Sequence, residues 1–181
     1  MSGSSGQISS GRILARRSDD EVCFLVVGRA CANHSPAVRH YAEKALASGV
    51  TVVHVDLSEC THCDSTFLGT LFRLCQDCRS HGPRVLQLVR PSAAVRQILA
   101  QMGATRLFNI TEKSSDAPTD LTWQQLDDHY DRMQLQRFKQ NVVDAHEALA
   151  GAGGELAQKF GPLAEAMREE LAAQQAQQSE R

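Results

Sequence analysis

Apolar and polar residues alternate in blocks between residues 8 and 112, and the blocks have the lengths of strands and helices. Segments 8–17, 21–28 and 85–89 have the composition of strands, and segment 50–57 is apolar almost throughout, which predicts a central strand. Apolar residues recur on one face of segments 36–48, 65–81 and 92–102, which predicts three amphipathic helices, with Ser35 as the N-cap of the first. We therefore expect an α/β domain over residues 8–112, a mixed four- to five-stranded sheet flanked by helices, with a hairpin first and parallel strands after it.

The pattern changes after residue 112. Segment 113–120 is polar and contains a proline, which is typical of a linker. Residues 121–173 carry two helical stripes of apolar residues, separated by the glycine-rich stretch 151–154. Because two such helices bury little surface alone, they predict a helical hairpin or a coiled-coil extension that joins copies of the chain as a homo-oligomer. We expect a flexible leader at 1–7 and a disordered, glutamine-rich tail at 174–181.

Composition and charge exclude several classes of function. The net charge is -2 and the basic residues are scattered, so no nucleic-acid partner is expected. The longest apolar runs are about six residues, far below the roughly 20 needed to span a membrane, so no membrane insertion is expected. Without an export signal, the six cysteines are expected to be free thiols in a cytoplasmic protein. No cofactor motif is present.

The tripeptide Asp64-Ser65-Thr66 lies between the predicted central strand and the helix 65–81. Ligands and chemistry collect at the carboxyl ends of parallel strands, where loops lead into helices. A helix N-terminus stabilises an exposed anion by roughly 0.3–1 kcal/mol, so a phosphate on Ser65 would be well placed. Asp and Ser are also the ordinary caps of a helix. The residues alone therefore leave a functional site and a simple cap as alternatives.

The sequence around this tripeptide resembles a known signature. An apolar strand, Asp-Leu-Ser at 56–58, a short variable stretch, and Asp-Ser-Thr at 64–66 followed by Gly69 are similar to the signature of the STAS family, the anti-sigma factor antagonists. The resemblance extends over residues 22–110 and implies a STAS-like sheet flanked by helices, no catalysis, and reversible phosphorylation of Ser65, with Thr66 as the second candidate. It implies that a partner, an anti-sigma factor or a kinase-like regulator, binds at Asp56, Ser58, Asp64, Ser65, Thr66, Phe67, Leu68 and Gly69.

This resemblance leads to a hypothesis about mechanism. The unmodified surface around Ser65 would dock on a kinase-like anti-sigma factor, and a phosphate of about -1.5 to -2 charges would break the contact. Phe67 departs from the signature, because the family usually has glycine there. Phe67 would either crowd the partner or supply a new apolar anchor.

Other readings of the same residues are weaker. Cys60-x-x-Cys63 and Cys75-x-x-Cys78 have the spacing of a zinc site, but the second pair lies roughly 15–20 Å along the predicted helix, too far for one ion. We therefore predict no metal, and we expect buried thiols at Cys75 and Cys78. An exposed, redox-sensitive thiol at Cys60 or Cys63 is a weaker alternative. His62 near Ser65 lacks the motif and third group of a nucleophile–base pair.

A non-enzymatic scaffold is the alternative function. The helices 121–173 would oligomerise the protein within a signalling assembly, and an exposed stripe at Leu156, Phe160, Leu163 and Met167 would support this. A transporter accessory protein is the further alternative, since STAS-like domains also accompany transporters.

Overall fold

The computed structural model describes residues 11–113, 121–126 and 132–179. The predicted leader 1–7 and nearly all of the predicted linker 113–120 lie outside these residues. Strands β1 (Arg12–Arg17) and β2 (Glu21–Ala30) pair antiparallel around a turn that Ser18 closes by accepting a hydrogen bond from the Glu21 amide, at 3.2 Å. The predicted hairpin is confirmed.

Three of the strands after the hairpin are parallel to β2 and to one another. Strand β3 (Val52–Asp56) lies between β2 and β5 (Val85–Val89), and β6 (Asn109–Thr111) follows β5 at the edge. Helices α1 (Ser35–Ala47), α2 (Ser65–Ser80) and α3 (Ala93–Met102) connect them. The α/β class and the central place of segment 50–57 are confirmed, because β3 has a parallel neighbour on each side.

The sheet is larger than the predicted four to five strands. Within the described residues it has seven, in the order β6-β5-β3-β2-β1-β7, with β4 (Cys60–Cys63) beside β2. Strand β7 (Gln124–Gln125) pairs with β1 beyond the predicted domain boundary. Strands β4 and β7 are too short to show a period of two in the sequence. The pairing of β4 with β2 also contains a register shift at Gly28.

Caps define the helices that carry the site. Asp64 caps α2 and Ser92 caps α3, each through a side-chain oxygen that accepts a backbone amide hydrogen. Gly103 ends α3 with φ 71°, a left-handed conformation that favours glycine. Ser35 differs from its prediction as an N-cap, because a short 3-10 turn at residues 32–34 precedes α1 and moves Ser35 into the helix.

Residues of the sheet and of α1–α3 form the main hydrophobic core, to which the described part of the C-terminal helices adds one buried residue, Ala148. Helices α4 (Arg132–Gly151) and α5 (Gly154–Ser179) pack against each other, and α4 also packs against α2 and α1. Their own small core consists of Leu149, Leu156 and Phe160.

The second apolar stripe differs in part from its prediction. Leu156 and Phe160 are buried, Leu163 is 40% exposed, and Ala164 takes the place of Leu163 on the buried face. Helix α5 continues through Pro162 and includes most of the glutamine-rich segment. Among the residues that the structure describes, no helix is long and apolar enough to cross a membrane.

Candidate functional site

Asp64 holds the start of α2 in place with both carboxylate oxygens. Its Oδ1 accepts the amide hydrogen of Phe67 at 2.8 Å, and its Oδ2 accepts that of Ala32 at 2.7 Å. The backbone amide of Asp64 donates to the Ala30 carbonyl at the end of β2. Asp64 therefore joins α2 to the strand β2 and to the turn before α1, and its carboxylate is engaged in structure. The capping alternative holds for this residue.

Ser65 is half-buried, and its hydroxyl contacts the C-terminal helix α4. Its Oγ lies 3.1 Å from Nε2 of His146. The other ring nitrogen of His146 lies 2.8 Å from the carbonyl oxygen of Val142, which accepts only a donated hydrogen. In the neutral ring, Nδ1 is therefore the donor and Nε2 the acceptor, so the Ser65 hydroxyl donates to His146. The histidine beside Ser65 is thus His146, not the His62 considered from the sequence.

The residues after Ser65 point in different directions. Thr66 is 6% exposed, and its carbonyl accepts the hydroxyl of Thr70. Phe67 and Leu68 are fully buried in the main core. In this conformation Phe67 neither crowds a partner nor anchors one, and both predicted alternatives for it fail because its ring points inward.

Gly69 lies where α4 crosses α2. A Cβ built at this position would be 2.3 Å from the carbonyl oxygen and 2.9 Å from the Cβ of Ala145. Such distances are far inside van der Waals contact, so the two backbones approach this closely only because position 69 has no side chain. A glycine inside an amphipathic helix was the sequence signal for this approach.

Asp56 lies at the carboxyl end of β3, next to an arginine that the sequence analysis missed. Its Oδ1 accepts the Ser58 amide at 3.0 Å, and its Oδ2 is 2.5 Å from Nη2 of Arg90. Burial alone would raise the pKa of Asp56, but the hydrogen bonds from Ser58 and Arg90 outweigh burial and lower it. Arg90 has φ 45°, unusual for a residue with a side chain. The sequence could have indicated this pair, because Arg90 directly follows β5, the strand beside β3.

The cysteines of β4 are buried and close together. Cys60 and Cys63 are 1% and 2% exposed, and their sulfur atoms are 3.4 Å apart. The hydrogen bond between the thiols lowers the pKa of Cys60 and raises that of Cys63. The weaker alternative, an exposed and redox-sensitive thiol in this loop, does not hold, because the segment is a strand packed beside β2.

The cysteines of α2 are part of the core. Burial raises the pKa of Cys75, and it raises that of Cys78 to about 11. Across the described ranges no group of three or more His, Cys, Asp or Glu side chains is placed to hold a metal ion.

Three polar residues on α4 complete the surroundings of the site. His146 and Asn141 are each 3% exposed, and Asp144 binds Arg39 of α1. None of the three belongs to the apolar stripe from which this helix was predicted. Their position beside that stripe was the available signal, since polar residues on a buried face need partners.

A cavity of about 600 Å³ lies beside α1 and α4 rather than at Ser65. Its walls include Arg39, His40, Tyr41, Arg137 and Gln125. The Ser65–His146 pair is not among the lining residues, so this cavity offers no substrate site to that pair.

Comparison with known proteins gives the fold a family. Residues 13–111, more than half of the chain, match the family described as "Mlab, STAS domain". The crystal structure of the Thermotoga maritima protein TM1081 is 21% identical with a TM-score of 0.50, covering 57% of this chain and 88% of that one. Its NMR structure is 20% identical with a TM-score of 0.50, covering 55% and 79%.

The anti-sigma factor antagonist SpoIIAA in its unphosphorylated form is 17% identical with a TM-score of 0.48, covering 56% of this chain and 89% of that one. No curated protein matches the chain at a significant level. At these identities the structural likeness concerns the fold, and the family rests on the match over residues 13–111. The chain belongs to the STAS domain family, as its signature predicted.

Proposed function

We propose that the chain is a non-enzymatic regulatory protein whose STAS domain binds a partner at the start of α2, and that phosphorylation of Ser65 switches this binding. The partner class is an anti-sigma factor or a kinase-like regulator, as the signature implies. The observation that supports the proposal is that the three residues of Asp64-Ser65-Thr66 have different structural roles. Asp64 is committed to the helix cap and Thr66 is 6% exposed, which leaves Ser65 as the half-buried hydroxyl at the first position of the helix.

The position of Ser65 suits a charge switch. A phosphate there would lie at the positive end of α2, where amides of the first turn have no helical acceptor. It would add about -1.5 to -2 charges to a surface that the unmodified protein presents as a neutral hydroxyl. A partner contact that excludes water would be broken by that charge, because its desolvation is costly.

The scaffold alternative has less support. The stripe that would join copies of the chain begins with Leu156 and Phe160, and both are buried in the hairpin of α4 and α5. Leu163 is the exposed member of that stripe, at 40%. Oligomerisation through 121–173 stays a prediction, which the mass of the full chain in solution would test.

The experiment compares capture of host-cell proteins by the wild type, Ser65→Ala and Ser65→Asp, with intact mass to detect one phosphate. We expect Ser65→Ala to retain the wild-type partner and Ser65→Asp to lose at least about tenfold, a change equivalent to 1.4 kcal/mol. Ser80→Asp is the control, because it adds the same charge at the exposed far end of α2.

Equal capture by Ser65→Ala and Ser65→Asp would refute the phosphate switch. Recovery of a transporter subunit in place of a sigma-pathway protein would move the assignment to a transporter accessory role.

A further inference from the structure

The predicted docking surface of α2 is already occupied by the chain's own helix α4. Residues Ser65 and Gly69 are four apart and therefore lie on one face of α2, with Thr70 beside them. Each meets a residue of α4: Ser65 binds His146, Gly69 contacts Ala145, and the buried amide of Asn141 donates to the Thr70 hydroxyl at 3.0 Å. The contact thus covers the first turns of the signature helix.

A second anchor ties α4 to α1. Nη1 of Arg39 lies 2.6 Å from the Asp144 carboxylate and 3.5 Å from the Asn141 side-chain oxygen. Arg39 also pairs with Glu43 of its own helix, at 2.7 Å. Because Arg39 keeps this second partner, loss of α4 would not leave its charge unpaired.

The hairpin of α4 and α5 is built as a separate layer. Of the described residues, the buried members of the main core come almost entirely from before residue 113, and α4 adds Ala148. The hairpin has its own core of Leu149, Leu156 and Phe160, against which Met102 and Leu107 of the domain pack. Its contact with the domain combines hydrogen bonds, one close backbone approach and the burial of small side chains such as Ala145 and Ala148. Small side chains bury less apolar surface than the large ones of the main core, so the layer can separate at lower cost than unfolding of the domain.

We infer that α4, with α5 behind it, is a detachable cap on the docking surface, and that Ser65 becomes accessible to a kinase or a partner only when the cap has left. The role of Ser65 rests on the proposed function, whereas the cap itself does not. The partner element that fits the surface is a helix with a small residue opposite Gly69 and hydrogen-bonding groups opposite Ser65 and Thr70. Such a helix competes with α4 for the same face.

Phosphorylation and capping exclude each other. The 3.1 Å contact between Ser65 and His146 has no room for a phosphorus atom and three further oxygens, and a phosphorylated Ser65 has no hydroxyl hydrogen to donate. Helix α4 cannot yield locally, because the neighbouring Ala145 is held against Gly69. A phosphate on Ser65 therefore holds the cap open, and under the proposed function its charge also keeps the partner off the uncovered face. Strand β7, paired with β1, keeps the released hairpin tethered.

The test is amide hydrogen exchange on the full chain with Gly69→Ala. An added methyl at position 69 favours α2 itself, since alanine is the better helix former, but it collides with Ala145 of α4. Gly161→Ala is the matched control, because it makes the same change inside α5 where no atom lies within 4 Å of the new Cβ. We expect α4 amides to exchange about tenfold to hundredfold faster in Gly69→Ala, with β3 and β5 unchanged and the control like wild type.

A second variant, Asn141→Ala with Asp144→Ala, changes residues of α4 and none of the STAS domain. If Gly69→Ala loses exchange protection in the whole protein, the double variant is the test of the cap. Faster exchange confined to α4 and α5 supports the cap. Unchanged exchange in α4 of either variant, or loss of protection in the sheet together with α4 in the double variant, overturns it.

A phosphate installed on Ser65 during translation should give the same local release; retained protection of α4 overturns the exclusion of cap by phosphate. None of these measurements uses a partner. A failure of partner capture by the Ser65 variants therefore bears on the proposed function and not on the cap.

Discussion

Phe67 supplies the sharpest energetic prediction, because it replaces a glycine of the family signature and is fully buried. Complete burial of a phenylalanine removes about 150–250 Å² from water. Truncation to alanine loses that burial and leaves a cavity, at a combined cost of about 3–5 kcal/mol. Small domains have a total unfolding free energy of about 5–15 kcal/mol, so Phe67→Ala should remove a large part of it. Phe67→Gly, which restores the family residue, should cost about 1 kcal/mol more through helix propensity.

Urea denaturation followed by circular dichroism measures these differences. We expect the midpoint to fall strongly with little change in slope, because the native fold is retained. Leu135→Ala is the control, since Leu135 is 46% exposed and its truncation should stay within about 0.5 kcal/mol. A cost below about 1 kcal/mol for Phe67→Ala would show that the ring is not a core element. The reading of Phe67 as an apolar anchor for a partner would then return.

Three further predictions concern the rest of the site. Arg90→Gly should be more stable than Arg90→Ala by about 1–2 kcal/mol. Both variants lose the contact with Asp56, but only glycine tolerates φ 45° without strain. Equal stabilities would contradict the left-handed backbone at this position. Because folding lowers the pKa of Asp56 below its ordinary 3.8, the stabilisation it gives is complete above that pH and is lost as pH falls through the folded value. Wild type and Asp56→Asn should therefore differ in urea at pH 7 and converge below pH 3.8, and a constant difference would refute this. Of the six thiols, the half-buried Cys31 should be the first to react with a disulfide reagent in the folded protein, with all six reacting in denaturant; rapid labelling of Cys78 would contradict its burial and its pKa of about 11.

The sequence contained most of the STAS domain because its elements are locally specified. The boundaries of β5 and the start of α2 follow from apolar runs and from a cap whose partner is three residues away. Strand β4 was missed because four residues with two buried cysteines carry no readable period, and its pairing depends on the register of β2 after Gly28. For the same reason the burial of Cys60 and Cys63 could not be predicted from the sequence.

The cap could not be predicted in the same way. An amphipathic stripe shows that a helix has a buried face, but it does not show which surface buries it. The contact of Ser65 with His146 joins residues 81 apart along the chain, and the one between Asn141 and Thr70 joins residues 71 apart. Local patterns contain no information on pairings at that distance. The packing of the hairpin against α2 therefore had to come from the structure.

The two glycine positions of the signature show how the fold divides the roles within α2. Residues 67 and 69 are about 200° apart around a helix with 3.6 residues per turn, so they lie on opposite faces. Position 67 faces the core, where a large apolar side chain adds burial, and this chain accommodates phenylalanine there. Position 69 faces α4, where even a methyl group would meet a backbone carbonyl at 2.3 Å. The departure from the signature thus falls on the face that is buried in the core, and the retained glycine falls on the face against which α4 packs. Phe67 is therefore compatible with docking at Ser65. At position 69, the family signature and the packing of α4 both require glycine.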